Sequence, residues 1–173
     1  FNAKIQRHIE ELLVSPMDET SIVIGYLAGG IIRGLFVATV VSFIALFFTE
    51  LNIKYPLLAL LVIIMTASVF SLAGLINAIF AKKFDDIAVI PSFVLAPLTY
   101  LGGVFYTVTL LPDFWQTLSR LNPILYMVNS MRYSVLGTSD IEIMDGLLMI
   151  AGFFILLLSV AVYLLKKGIG IRD

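Results

Sequence analysis

Residues 22–48 carry one charge, Arg33, in twenty-seven positions. At about 1.5 Å of rise per residue, a helix of that length outspans a hydrocarbon core of about 30 Å. Residues 57–81 and 146–165 repeat the pattern. A fourth run, residues 87 to 110, is as apolar but is interrupted by Pro91, Pro97 and Gly102-Gly103. Hydrophobic residues make up 60% of the chain and charged ones 13%, where a water-soluble domain uses about 25%. Lipid is the solvent that accommodates such a surface. The expected fold is all-α, a polytopic membrane helix bundle with spans over about 22–48, 57–81, 87–105 and 146–165.

Several function classes are excluded at once. The net charge of −1 offers no electrostatic footprint for nucleic acid. The chain has no cysteine, which removes disulfides, thiolate nucleophiles and thiolate metal sites. His8 is the sole histidine, so no histidine metal cluster and no Ser-His-Asp set beyond it can be assembled. No internal repeat or low-complexity linker divides the chain, which reads as one membrane domain. It begins at Phe1 without a basic region leading into a short apolar core, so no signal peptide is visible, and a hydrophobic segment is expected to precede Phe1.

Lysines and arginines near the ends of the spans set the orientation. With four spans both termini share one side, which holds Lys4, Arg7, Lys82, Lys83, Lys166, Lys167 and Arg172. The other side holds Lys54, Arg120 and Arg132. Seven against three predicts a multi-pass protein with both ends of this chain, the C-terminus included, in the cytoplasm.

Residues 1–21 are mixed. Ile5, Ile9, Leu12 and Leu13 recur at helical spacing among Lys4, Arg7, Glu10 and Glu11. Pro16 disfavours helix at Ser15. A short amphipathic helix over about 3–14 is expected, and Asp18 or Thr20 can cap the helix that follows. Such a helix can lie on lipid or dock in the groove of a partner. Its acids argue for the partner, because Glu10 and Glu11 are repelled by anionic headgroups.

Residues 111–145 are too polar to cross a membrane and too apolar for an ordinary loop, and the irregularity begins earlier, within 93–133. Breaks at Pro97, Gly102-Gly103, Leu111-Pro112 and Asn122-Pro123 alternate with Phe93, Tyr100, Phe105, Tyr106, Phe114, Trp115, Tyr126 and Tyr133. Residues 113–121 can form one short helix, with Trp115 as an interfacial anchor. Residues 97–128 are expected to dip into the outer leaflet as two short helices folded back near Leu111-Pro112. The alternative is an exoplasmic loop with some buried apolar residues. Irregular backbone at that depth must be buried in protein or line a cavity. Arg132 is a candidate to tie this element down, whereas Asp140, Glu142 and Asp145 read as a solvated loop.

Within the spans, the small residues of "LAGGIIRG", residues 27–34, permit close helix packing. They do not form a phosphate-binding GxxxxGK[ST] loop. Arg33 has two readings: it snorkels from the first turns of its helix, or it faces a pathway or pairs across a dimer. Asn77 reads as a helix–helix hydrogen bond.

Two motifs in this order, Glu10-Glu11-Leu12-Leu13-Val14-Ser15-Pro16 and the series Pro97, Gly102-Gly103, Phe105, Leu111-Pro112, Asn122-Pro123 and Arg132, resemble those of the ABC-2 type transport permeases. The resemblance covers essentially the whole chain. Gly102 stands where many members have Ser. The family has six spans and this chain shows four, which implies that the first two lie ahead of Phe1. The resemblance implies that residues 1–21 form a coupling-helix segment, with Ile9 to Pro16 in a cleft of a cytoplasmic ATPase, and that 22–173 form the transmembrane domain. It also implies a second, smaller cytoplasmic contact at Lys82, Lys83, Asp85 and Asp86. ATP and magnesium are then used by the partner ATPase and no cofactor is bound by this chain. The expected protein is a homodimeric, non-enzymatic permease in the bacterial inner membrane, surrounded by lipid, that exports a lipid-like, glycan or drug-like substrate. A membrane assembly subunit without its own pathway is the rival. An ion channel is disfavoured, since no span repeats polar positions along one face.

Overall fold

A computed structural model describes residues 18–50, 52–105, 107 and 110–168. The amphipathic segment expected over 3–14 lies outside them. The described residues form helices and connecting turns, with no strand among them. Three helices are long and apolar enough to cross a membrane: α1 (Glu19–Ala45), α2 (Pro56–Phe80) and α7 (Ile143–Lys167). Each lies within about three residues of its expected span, because an unbroken apolar run is a sufficient signal in lipid. Asp18 is the N-cap residue of α1, but its carboxylate takes the Thr20 hydroxyl instead of a backbone N–H.

The third expected span departs from an ordinary helix. Its residues form α3 (Phe84–Ile90), a π turn (Pro91–Leu95) and α4 (Ala96–Leu101), continuous in backbone but not in winding. Pro91 and Pro97 each lack an N–H, and the chain widens by one residue per turn instead of breaking. The Ala96 N–H accordingly donates to the Pro91 carbonyl, five residues back. Helical structure ends at Leu101, short of the expected 105.

α1 and α2 run antiparallel in close contact. A Cβ on Gly30 would overlap Ser71, and one on Gly34 would sit 2.7 Å from the Ala67 Cβ. The Ser71 hydroxyl donates to the Tyr26 carbonyl at 3.2 Å across the same seam. At the end of the bundle that carries Lys82-Lys83 and Lys166-Lys167, here the lysine end, Val23 of α1 packs with Leu72, Leu75 and Ile79 of α2 and Ala161, Leu164 and Leu165 of α7. Asn77 donates to the Ile87 carbonyl at 3.0 Å and holds α3 against α2. Large residues such as Phe36, Phe43 and Phe93 remain exposed, a surface that belongs against lipid or other helices.

The far end is filled differently. α5 (Asp113–Arg120) and α6 (Pro123–Leu136) form a helical hairpin. It turns at Leu121-Asn122, and Leu111-Pro112, the expected fold-back point, instead begins α5 with Pro112 as N-cap. The reason is local. Asn122 caps α6 by accepting the Ile124 N–H at 3.0 Å, and Pro123 suits the first turn of a helix while ending the one before it. α6 lies inside the bundle, antiparallel to α2. Its C-terminal carbonyls, Ser134 and Val135, accept the N–H groups of Tyr55 and Lys54 at 2.8 and 3.1 Å. Met127, near its other end, packs on Val69 and Ile150. Val69 is thirteen residues into α2, so α6 reaches about 20 Å along that helix.

Candidate functional site

The hairpin is held by polar contacts that apolar packing could not direct. Asn122 is buried, and its Nδ2 donates to the Leu98 carbonyl at 2.5 Å, joining the hairpin turn to α4. Arg132 Nη2 donates to the Gly103 carbonyl at 2.7 Å, and Nη1 meets Asp140 Oδ2 at 3.0 Å. Gly103 has φ 69°, a left-handed turn that suits glycine and aims its carbonyl at Arg132. Gly102 lies against Ile124, where a Cβ would approach the Cγ2 to 2.8 Å. Gly102, Gly103, Asn122, Pro123 and Arg132 thus meet around the base and flank of α6. Pro97 sits in the first turn of α4. Phe105 is exposed beside Tyr100, ring centroids 6.2 Å apart, and Pro112 caps α5, so neither joins that cluster.

The structure adds three residues. Asn129 is buried, donates to the Leu125 carbonyl at 3.0 Å and accepts the Asp140 N–H at 3.0 Å. Asp140, expected in a solvated loop, is therefore fixed by both Asn129 and Arg132. Tyr126 donates through its hydroxyl to the Arg120 carbonyl at 2.7 Å, which braces the hairpin turn. The spacing of Asn129 and Arg132 within one apolar run was the available signal, since residues three apart share a helix face.

The hairpin is also incompletely satisfied. The Ser119 and Ser130 hydroxyls are buried without a hydrogen-bond partner among the described residues. Each such group costs about 1–3 kcal/mol. An element held by a few directed bonds and carrying unmet polar groups is suited to a second arrangement. Changing Arg132 to alanine removes both the Gly103 and Asp140 bonds and is expected to loosen the hairpin by about 2 kcal/mol. Faster hydrogen exchange over α5 and α6, with α1 and α2 unchanged, is the measurement that checks this.

Two cavities flank the hairpin. A polar cleft of about 620 Å³ is lined by Arg120, Tyr126, Asp140, Glu142 and Asp145. An apolar groove of about 480 Å³ runs between α1, α2, α4 and α6, past Gly34, Phe70, Thr99 and Met131. Arg33 precedes Gly34, is exposed, and has no hydrogen-bond or ionic partner among the described residues. It lies fourteen residues after Glu19 and twelve before Ala45, near the middle of α1.

At the lysine end, Lys82 and Lys83 form the turn between α2 and α3, and Asp85 and Asp86 follow in the first turn of α3. The Asp86 carboxylate accepts the N–H groups of Lys82 and Lys83, both at 2.9 Å. These bonds, with the lysine charges adding, hold its carboxyl below the ordinary value of 3.8. A depressed pKa means that the turn is stabilised above the unfolded carboxyl's titration and loses that stabilisation as pH falls through the folded value. The turn therefore stays capped at neutral pH. Lys82, Lys83 and Asp85 are exposed there. Ile9, Glu10, Glu11, Leu12, Leu13, Val14, Ser15 and Pro16 lie outside the described residues.

Three apolar spans with a hairpin folded into one end of them define a class, the polytopic helical membrane proteins. The chain belongs to the ABC-2 type transporter family, whose model matches residues 2–136. It is 48% identical over all 173 residues to the inner membrane transport permease YadH of Escherichia coli (strain K12), covering 68% of that protein. It is 28% identical over 131 residues to nodulation protein J of Sinorhizobium fredii (strain NBRC 101917 / NGR234), covering 76% of this chain and 50% of that one. No solved structure matches it. The chain is thus a membrane permease subunit of ABC transporter type, and membership of the family implies an ABC ATPase partner.

Proposed function

We propose that this permease exports a lipid-like, glycan or drug-like substrate across the bacterial inner membrane, working as a homodimer with a separate cytoplasmic ATPase that binds the ATP and magnesium. The observation that carries the proposal is the α5–α6 hairpin, pinned by Arg132 over an apolar groove at one end of the bundle, with the Lys82–Asp86 turn at the other. The gathering of Lys82, Lys83, Lys166 and Lys167 at the lysine end, against Lys54 and Arg132 opposite, supports a cytoplasmic location for that end. The hairpin is then the outer gate. Residues 9–16 act as the lever on which ATPase closure pulls, and the Lys82–Asp86 turn is a second contact. The likeness to YadH, named as an inner membrane permease, supports the location.

A membrane assembly subunit without a pathway needs no groove behind its hairpin, which makes it the weaker reading. The deciding experiment uses vesicles holding the full-length permease and its ATPase, with candidate lipids, glycans and drugs supplied. ATP-dependent accumulation of one of them on the outer side is expected. In intact cells, cysteines at 110 and 118 are expected to label from outside, with the less exposed 118 slower. Labelling of either from the cytoplasm would reverse the proposed direction.

A further inference from the structure

We infer that Arg33 and the adjoining apolar groove form a single site for an anionic amphiphile in transit, the arginine taking the anionic group and the groove the apolar chain. The inference rests on the permease reading and adds to it a substrate class and a specificity residue.

The first observation is depth. Arg33 is near the middle of α1, and Gly34 beside it packs on Ala67, eleven residues into α2 and thirteen from its end. Both helices place this point about 17 Å from the nearest helix end. An arginine there is costly unless it meets an opposite charge or water. The headgroup of a resident lipid stays at the surface and cannot serve. An anion at this level comes from another membrane segment or from a molecule crossing the membrane, and the groove beside Gly34 favours the second.

The second observation is the groove. It begins at Gly34, is lined mainly by apolar side chains, and contributes only Thr66 and Thr99 as polar ones. Methionines Met127 and Met131 add walls that adapt to chains of different shape. Arg33 adjoins the groove through its chain neighbour Gly34, which lines it. Gly30 and Gly34 face α2, and at about 100° per residue Arg33 points to the flank of that contact. The groove opens beneath the hairpin on α6, so a chain lying in it ends at the proposed gate. The third observation is the residue type. A guanidinium presents a planar fork to a phosphate or carboxylate and keeps its charge in an apolar setting.

The test uses the full-length permease in nanodiscs, without nucleotide or ATPase, and two photoreactive probes with identical diazirine-bearing tails. One is a lysophosphatidylglycerol and the other a lysophosphatidylcholine. The anionic probe is expected to label peptides containing Phe70 and Met131 and to do so about tenfold more than the choline probe, the magnitude of one charge-assisted hydrogen-bonded pair. Arg33→Gln is expected to abolish that preference, and Arg33→Lys to retain part of it. Equal labelling by both probes would overturn the inference. So would an Arg33→Gln protein that keeps its preference but loses its dimer, since Arg33 would then pair across subunits. Adding ATPase and ATP to the same preparation separates the two readings. Selective labelling that ATP does not clear would leave the site standing and count against export.

Discussion

Replacing Gly30 with leucine is expected to separate α1 from α2 and lower the thermal midpoint of the purified permease by about 10 °C, corresponding to about 3 kcal/mol of overpacking. At this position even a Cβ overlaps Ser71, lying 2.5 Å from its Cβ and closer still to its hydroxyl. The hydroxyl must then leave the Tyr26 carbonyl, and a leucine drives the backbones apart as well. Lipid offers no hydrophobic force to hold the helices together once that contact is lost, because tails are as apolar as the seam. Two comparisons isolate the cause. Gly30→Ala combined with Ser71→Gly removes the overlapping atoms and is expected to recover most of the loss. Gly29→Leu places the same bulk where nothing lies within 4 Å and serves as the reference for helix propensity alone. Equal destabilisation at positions 29 and 30 would show that the α1–α2 seam is not what sets stability.

Changing Leu13 to aspartate is expected to sever the permease from its ATPase. On the coupling-segment proposal, Leu12 and Leu13 form the apolar ridge that enters the ATPase cleft. A carboxylate carried into a desolvated groove costs about 3 kcal/mol, or about a hundredfold in affinity. Co-purification of the ATPase should fall by that factor and ATP-driven transport should cease, while the permease still inserts and keeps its thermal midpoint. Ile5→Asp, at the edge of the same face, is expected to do less. An undiminished yield of ATPase with Leu13→Asp would sink the coupling assignment.

Both predictions depend on features of different legibility. The three unbroken spans were readable because apolarity sums along a window and needs no knowledge of what lies across from it. The same local reasoning identified Gly30 and Gly34 as packing positions and Asn77 as a helix–helix donor, and the structure supplies their partners, Ser71, Ala67 and the Ile87 carbonyl. It went astray where two local signals competed. Pro91 and Pro97 were expected to break the third span, yet the chain absorbed them in a π turn, because one wider turn costs less than exposing backbone in an apolar setting. Leu111-Pro112 and Asn122-Pro123 looked alike as breaks, yet only the second carries a side chain that both caps the next helix and reaches α4.

Local signals in the sequence suffice for a helical membrane protein with long spans at 22–48, 57–81 and 146–165, a broken region near 97–128, and most of its lysines at one end. Those properties follow from residue type and spacing, which act over one or two turns. The folded arrangement alone reveals that α6 sits inside the bundle, that Arg132 joins Gly103 to Asp140 across 29 and 8 residues of chain, and that Gly34, next to Arg33, lines a groove. Those depend on where the chain returns, and a hydrogen bond's direction has no trace in the residue that donates it until its acceptor is in place.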